Sequence, residues 1–191
     1  MRASSRIQNW YRTWIIGCGP LATPDQADAD LVDAGSRRIT LRPGAAIVDS
    51  ARSFALIRGG HIDVTVLGAF EVAANGDLAN WDMRVPNKGP LVGGAMDLAA
   101  CARAVWVIME HTTRQGGARL REACSLPLTA VRCVKRIYTD LAVVDVTPTG
   151  FLVREILNGL TRNDLQARSG APLTFAPDCT ALRAPPIEGE K

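Results

Sequence analysis

The stretch Ala104-Val105-Trp106-Val107-Ile108-Met109 constrains this chain more than any other. It has the length of a strand, but lacks the polar–apolar alternation of a strand with one wet face. Such a run reads as a buried strand, apolar on both faces, which needs covering layers on either side. Leu141 to Val146 reads the same way, and Ile62 to Leu67 is a mostly apolar, β-branched run stopped by Gly68. Between the strands lie helical stretches. Asp49 to Arg58 has Ser50 to accept from the first orphan N–H groups and Gly59-Gly60 to close it, and Ala95 to Ala104 is a second helix. Thr161-Arg162-Asn163-Asp164 opens a third, with an N-cap threonine and an acidic residue at the third helical position.

Turn chemistry supplies the rest. Asn75-Gly76 separates Phe70–Ala73 from Asp77–Trp81 and predicts a hairpin. Ile39-Thr40-Leu41 is a short strand before a turn at Pro43-Gly44, and Gly19 to about Asp30 reads as a loop. Pro148-Thr149-Gly150 turns the chain from Leu141–Val146 into Phe151–Ile156. The part from Ala171 holds four of the eleven prolines and reads as an irregular tail. Strands and short helices mixed in this way predict an α/β fold: an open, mixed, partly parallel sheet flanked by helices. The 191 residues suffice for one such domain without disulfides or a structural metal. The expected organisation is an atypical segment 1–14, a domain over 15–170 and the tail 171–191.

Charge and cysteine usage narrow the function classes. A net charge of +3, spread along the chain, gives no basic face for nucleic acid. No run approaches the roughly 20 apolar residues of a membrane span. Ile15-Ile16-Gly17-Cys18 imitates a lipoprotein cleavage box, yet Ile7 to Trp14 is no apolar signal core, so a cytoplasmic location is expected. The five cysteines are odd in number and form no Cys-x-x-Cys pair, which predicts reduced thiols and neither zinc nor a disulfide framework; Cys101 and Cys133 in particular read as buried.

Some residues invite chemistry. Gly93-Gly94 stands at the mouth of the second helix, where an exposed amide could face a thioester or carboxylate, or simply turn the chain. Asn80, at the end of a hairpin strand, could donate to a substrate carboxylate or cap a turn. His61 and His111 are the only histidines, and each reads as structural.

One set of strings, taken together and in order, resembles a known family. It comprises Gly19-Pro20 with Asp28 to Gly35, Pro43-Gly44-Ala45-Ala46, Phe54 to Asp63, Gly76-Asp77-Leu78-Ala79-Asn80-Trp81 and Gly93 to Leu98. Met109-Glu110-His111-Thr112, Cys124 to Thr129 and Thr139 to Val143 complete it. From about residue 15 to 168 the chain resembles the B subunit of class I 3-oxoacid CoA-transferases, of the succinyl-CoA:3-oxoacid and acetoacetate type.

That resemblance implies a CoA-transferase-like fold, a separate A subunit in a hetero-oligomer, and acyl-CoA and 3-oxoacid substrates. Coenzyme A enters as a substrate, and no further cofactor is implied. The resemblance also places Asn80, Gly93 and Gly94 at the substrate and CoA site. Glu110 matches a glutamate that the family carries besides its catalytic one, which implies a structural role. The family's nucleophilic glutamate sits in a Ser-Glu-Asn-Gly motif just before the Gly-x-Gly-Pro loop. Here Gly17-Cys18-Gly19-Pro20 is preceded by Tyr11-Arg12-Thr13-Trp14-Ile15-Ile16, and Arg12 occupies the glutamate's place. Ser36 replaces a usual lysine, and Leu91-Val92-Gly93-Gly94 replaces Gly-Met-Gly-Gly.

No counterpart of the family's opening strand–helix unit is found. Two explanations stay open: a decayed, wrongly started or frame-disrupted gene, and a shortened paralogue with a non-catalytic or altered role. Either leads to the expectation of apolar surface left uncovered.

Overall fold

The structure, a computed structural model, describes residues 15–33, 35–86 and 89–183. The chain divides into two compact units, one ending at Gly59 and the other starting at Gly60. This division falls inside the single domain expected over 15–170.

In the first unit, β1 (Ile15–Leu21) pairs antiparallel with β2 (Ile39–Ile47). Gly17-Cys18-Gly19-Pro20 is therefore strand, where a loop was expected, and β2 runs on through Pro43-Gly44. The pairing steps from Ile16↔Ala46 to Cys18↔Leu41, so Arg42 to Ala45 bulge out, with Gly44 at φ +82°. A bulge is where a strand tolerates proline, because the lost N–H has no ladder partner there. Gly19 must be glycine for the strands to close: a Cβ on it would lie 2.5 Å from Thr40 Oγ1 and 3.0 Å from the Thr40 carbonyl oxygen. Helix α1 (Ser50–Arg58) follows. Its N-cap is Asp49, whose carboxylate accepts from the Arg52 N–H, so the cap lies one residue before the expected Ser50.

The second unit is built on a six-stranded sheet of order β11-β10-β9-β8-β6-β3. Here β3 is Val64–Gly68, β6 Ala104–Ile108, β8 Val134–Tyr138, β9 Ala142–Thr147, β10 Gly150–Leu157 and β11 Leu173–Leu182. Strands β3, β6 and β8 run parallel, β8–β9 and β9–β10 antiparallel, and β10–β11 parallel. The sheet is thus mixed and partly parallel, as expected. A small sheet, β5-β4-β7, carries the Asn75-Gly76 hairpin between β4 (Glu71–Ala73) and β5 (Leu78–Ala79), with β7 (Leu120–Arg121) parallel to β4.

Helix α2 (Ala95–Cys101) precedes β6, and α3 (Arg162–Ala167) follows β10. Thr161 caps α3 in the expected way: its hydroxyl accepts from Asp164 N–H, and the Asp164 carboxylate accepts from Thr161 N–H. The core joins Val105, Val107, Val134, Ile137, Val144, Phe151 and Val153 from one face of the large sheet to Val72, Leu78, Leu120, Ala99 and Leu165. Each large side chain of this kind, fully buried, stabilises the fold by roughly 1.5–3 kcal/mol.

Two expectations need correction here. Ala104 to Met109 is apolar on both faces, but the face opposite the core is not covered: Val66 is 52% and Ile108 59% exposed. Residues 173–182 are not an irregular tail; they form β11. Pro177 fits because it lies in a bulge, between the pairs Val153↔Phe175 and Glu155↔Thr180.

Candidate functional site

Parallel strands with their carboxyl ends in register leave a crevice beyond those ends, where the chain departs into loops. In the second unit that crevice is a cleft of about 660 Å³. Phe70 and Glu71, just past β3, form part of its wall, as do Glu110, Thr113, Arg114 and Gln115, just past β6. Met83, Val85, Ala118, Arg119 and Leu126 close it.

Glu71 organises the wall. It is buried, and its Oε2 accepts from the backbone N–H of Ser125 at 2.6 Å and of Leu126 at 3.1 Å. Its Oε1 accepts from Ser125 Oγ at 2.7 Å, and Arg121 Nε stands 3.9 Å away. A buried carboxylate survives when its lone pairs are filled in this manner. Glu71 thereby pins the Cys124–Leu128 loop, which brings Leu126 to the cleft. Glu110 is exposed and faces Arg119 at 3.8 Å. It sits in the cleft wall and not in the core, so the structural role implied for it gains no support from burial.

Asn80 sits where β3 and β5 end together. Its Nδ2 donates to the Gly68 carbonyl at 3.0 Å, and its Oδ1 accepts from Thr129 Oγ1 at 2.6 Å. Gly68 O takes one of the two amide hydrogens; the other is the one a ligand could use. Leu91 N donates to Trp81 O at 2.6 Å, which ties the loop leading to Gly93-Gly94 beside Asn80-Trp81. Gly94 is the N-cap of α2 and has no side chain to offer, while Gly93 is exposed with open space on its Cβ side. The Leu91–Trp81 hydrogen bond joins the chain after Asn80 to the chain before Gly93-Gly94. None of the three lines the cleft itself. Arg12 lies outside the described residues.

The histidines offer little for catalysis. His111 is fully buried, with Nδ1 3.1 Å from Thr139 Oγ1 and Nε2 2.8 Å from Ser169 Oγ. Burial, opposed by Asp140 and reinforced by Arg168, holds its pKa below the ordinary imidazole value, so it is a neutral strut at pH 7. His61 is exposed ahead of β3. All five cysteines are free, and Cys101 and Cys133 are half-buried where burial was expected. Burial first, then the negative charges of Glu71 and Asp77, push Cys124 up to about 12; burial alone dominates at Cys133, pushed up to about 11. Neither thiol is a nucleophile at neutral pH. Among the described residues no group of three or more His, Cys, Asp or Glu side chains is placed to hold a metal ion. No helix among them is long and apolar enough to cross a membrane.

Comparison with known proteins decides the family. The sequence model of the family described as Coenzyme A transferase matches residues 4–167, a span that includes Arg12. The chain belongs to the coenzyme A transferase family. It is 49% identical over 159 residues to the B subunit of the 3-oxoadipate CoA-transferase of Pseudomonas putida, covering 83% of this chain and 75% of that one. It is 44% identical over 158 residues to the B subunit of a probable succinyl-CoA:3-ketoacid coenzyme A transferase of Bacillus subtilis, covering 82% and 72%. An acyl-CoA transferase of Escherichia coli O157:H7 shares the fold at a TM-score of 0.64 and 19% identity, over 80% of this chain and 33% of that one. Within the family this CoA-transferase chain is of the class I B-subunit type. Coenzyme A is a substrate for such proteins, and no further cofactor is called for.

Sequence reasoning missed three members of the site. Glu71 carried a faint signal, a lone carboxylate between Phe70 and Val72 in a strand run. Arg114 and Arg119 carried none, because only the fold brings that loop beside Phe70 and Leu126.

Proposed function

We propose that this chain serves as the B subunit of a 3-oxoacid CoA-transferase, pairing with a separate A subunit in a cytoplasmic hetero-oligomer. The reaction moves coenzyme A between an acyl-CoA, such as succinyl-CoA, and a 3-oxoacid, such as 3-oxoadipate or acetoacetate. The observation that carries this reading is identity of 44–49% to two B subunits of such enzymes, spread over four-fifths of the chain. Asn80 would offer its remaining amide hydrogen to the acid, and the Gly93 and Gly94 backbone N–H groups would face the thioester.

The chemistry runs through a carboxylate. A glutamate attacks the thioester carbonyl, the C–S bond breaks, and a mixed anhydride forms as CoA leaves as its thiolate. That thiolate then attacks the glutamyl carbonyl, giving a glutamyl-CoA thioester and releasing the first acid. The second acid repeats the sequence in reverse and departs with CoA. A guanidinium is no nucleophile of this kind and stays protonated. With Arg12 in the glutamate's place, this chain is expected to bind and assemble without turning over.

A second reading follows: a non-catalytic, CoA-transferase-like binding or scaffold role. It draws on the intact core and cleft wall. Calorimetry with coenzyme A, co-purification with an A subunit, and turnover of succinyl-CoA with a 3-oxoacid separate the two. Both readings expect assembly and CoA binding without turnover by the unaltered chain; turnover restored by Arg12→Glu supports the enzyme subunit, and none in that variant supports the scaffold. Failure to bind either CoA or an A subunit would sink both.

A further inference from the structure

A second cavity, of about 450 Å³, lies away from the cleft, on the outer face of the six-stranded sheet. The strand register shows which side chains face it. Trp106 pairs with Arg136 and Arg136 with Asp145, so these three stand in a row across β6, β8 and β9. Their neighbours Val105, Val107, Ile137 and Val144 are buried in the core, which sets the row on the opposite face. A bulge makes this possible. Val105 pairs with Val134, but the next residue, Trp106, pairs with Arg136, so Lys135 is an extra residue. Its insertion turns Arg136 outward, where strict alternation from buried Val134 would turn it to the core. Lys135 is itself exposed, and both cations line the cavity with Trp106, Thr147 and Pro148.

Asp145 is the one carboxylate in that lining, and it is shared. Arg136 donates to its Oδ1 at 2.6 Å and to its Oδ2 at 3.1 Å, and Arg154 donates to Oδ2 at 2.7 Å. One negative charge thus answers two guanidiniums. Asp178, the further partner of Arg154 at 3.6 Å, is 81% exposed and neutralises little. Lys135 has no ion-pair partner among the described residues. The cavity is therefore left cationic, with an exposed ammonium at its rim. Trp106 brings an aromatic ring beside these charges. The Tyr138 ring, 5.8 Å from it and tilted by 58°, packs against the indole and holds it in place. The cavity stands at the end where β8 begins and β9 finishes, whereas the cleft lies beyond the far ends of β3 and β6.

We propose that this cavity binds a nucleotide, with the base stacked on Trp106 and the phosphates held by Lys135 and Arg136. Any base offers a π-face to an aromatic side chain, and phosphate oxygens are strong acceptors for ammonium and guanidinium donors. The site does not depend on the proposed transfer reaction. Two sources carry the same chemistry, a free nucleotide and the adenine nucleotide end of coenzyme A.

Calorimetry on the full chain with ADP, adenosine and pyrophosphate, at one fixed low salt concentration, separates the ring from the charges. ADP is expected to bind about tenfold or more tightly than either of the others, because only ADP uses the ring and the cations together. Lys135→Glu, at an exposed position, should weaken ADP about fivefold or more. Trp106→Leu should bring ADP down to the level of pyrophosphate; should that variant fail to fold, Lys135→Glu and the comparison of ligands still decide. Coenzyme A measured with the parent and Lys135→Glu gives the source. A parallel loss of its affinity assigns the site to its nucleotide end, and an unchanged or absent affinity assigns it to a free nucleotide. Pyrophosphate binding as tightly as ADP would make the cavity a plain anion patch and overturn the proposal. So would a lack of ADP binding, or ADP affinity in Lys135→Glu within about twofold of the parent.

Discussion

Replacing Glu71 tests whether the cleft wall stands as described. Glu71→Ala leaves two backbone N–H groups, of Ser125 and Leu126, and the Ser125 hydroxyl without their acceptor. An orphaned buried donor costs about 1–3 kcal/mol. Ser125 is exposed, so its hydroxyl can turn to water and the two amides dominate. Their partial hydration across the open cleft brings the expected loss to roughly 3 kcal/mol, or roughly 10 °C in melting temperature for a unit of this size. Glu71→Gln is the sharper comparison. Its Oε1 can still accept from both amides, and Ser125 Oγ can reverse to accept from the new Nε2, so only the charge assistance is lost, about 1 kcal/mol. Urea denaturation followed by circular dichroism measures both variants. An alanine variant within about 0.5 kcal/mol of the parent, or a glutamine variant as damaged as the alanine one, would refute the reasoning.

Other substitutions probe the frame around the site. Gly19→Ala should loosen the β1–β2 pairing, since its Cβ would meet the Thr40 backbone; faster hydrogen exchange of β1 and β2 amides, with the second unit unchanged, is the expected readout. Asp145 accepts from Arg136 at 2.6 Å and Arg154 at 2.7 Å, and these guanidiniums outweigh the burial that opposes its charge, holding its pKa low. Asp145→Asn should cost about 2 kcal/mol after allowing for the exposure of both arginines, with less loss in high salt as the two cations are screened. His111 supplies a pH dependence of definite sign. Its folded pKa is lowered, so below the ordinary 6.5 the unfolded chain binds the proton more readily, and stability falls as pH drops through that value. Comparing urea midpoints at about pH 5.5 and 7.5 should show this component in the parent and its absence in His111→Gln; an identical pH response in both would refute it.

Much of the frame was legible from local chemistry. The Asn75-Gly76 hairpin, the capping box at Thr161 and Asp164, and the strands around Pro148-Thr149-Gly150 are set by residues close in sequence, and the structure keeps them. What escaped depends on distant pairing. Val134-Lys135-Arg136-Ile137-Tyr138 does not alternate cleanly and becomes β8 because β6 and β9 lie on either side. Leu173–Leu182 looks irregular by its prolines, yet β10 gives it a ladder that bulges at Pro177. Gly17 to Pro20 becomes strand only because β2 bulges to meet it. The site divides in the same way. Asn80 and Gly94 stand out by residue type at element ends, whereas Glu71 meets its hydrogen-bond partners 54 and 55 residues further along the chain.

Coupled turnover is the most direct test of the central proposal, that this chain keeps the binding role of a CoA-transferase B subunit without the family's nucleophile. The full chain is mixed with a matching A subunit, succinyl-CoA and 3-oxoadipate, and product and any covalent thioester are followed by mass spectrometry. The expected result is assembly and CoA binding with neither product nor adduct, and turnover regained when Tyr11-Arg12-Thr13-Trp14 is replaced by Ser-Glu-Asn-Gly. Turnover by the unaltered chain, with a thioester trapped on any carboxylate such as Glu110, would contradict it.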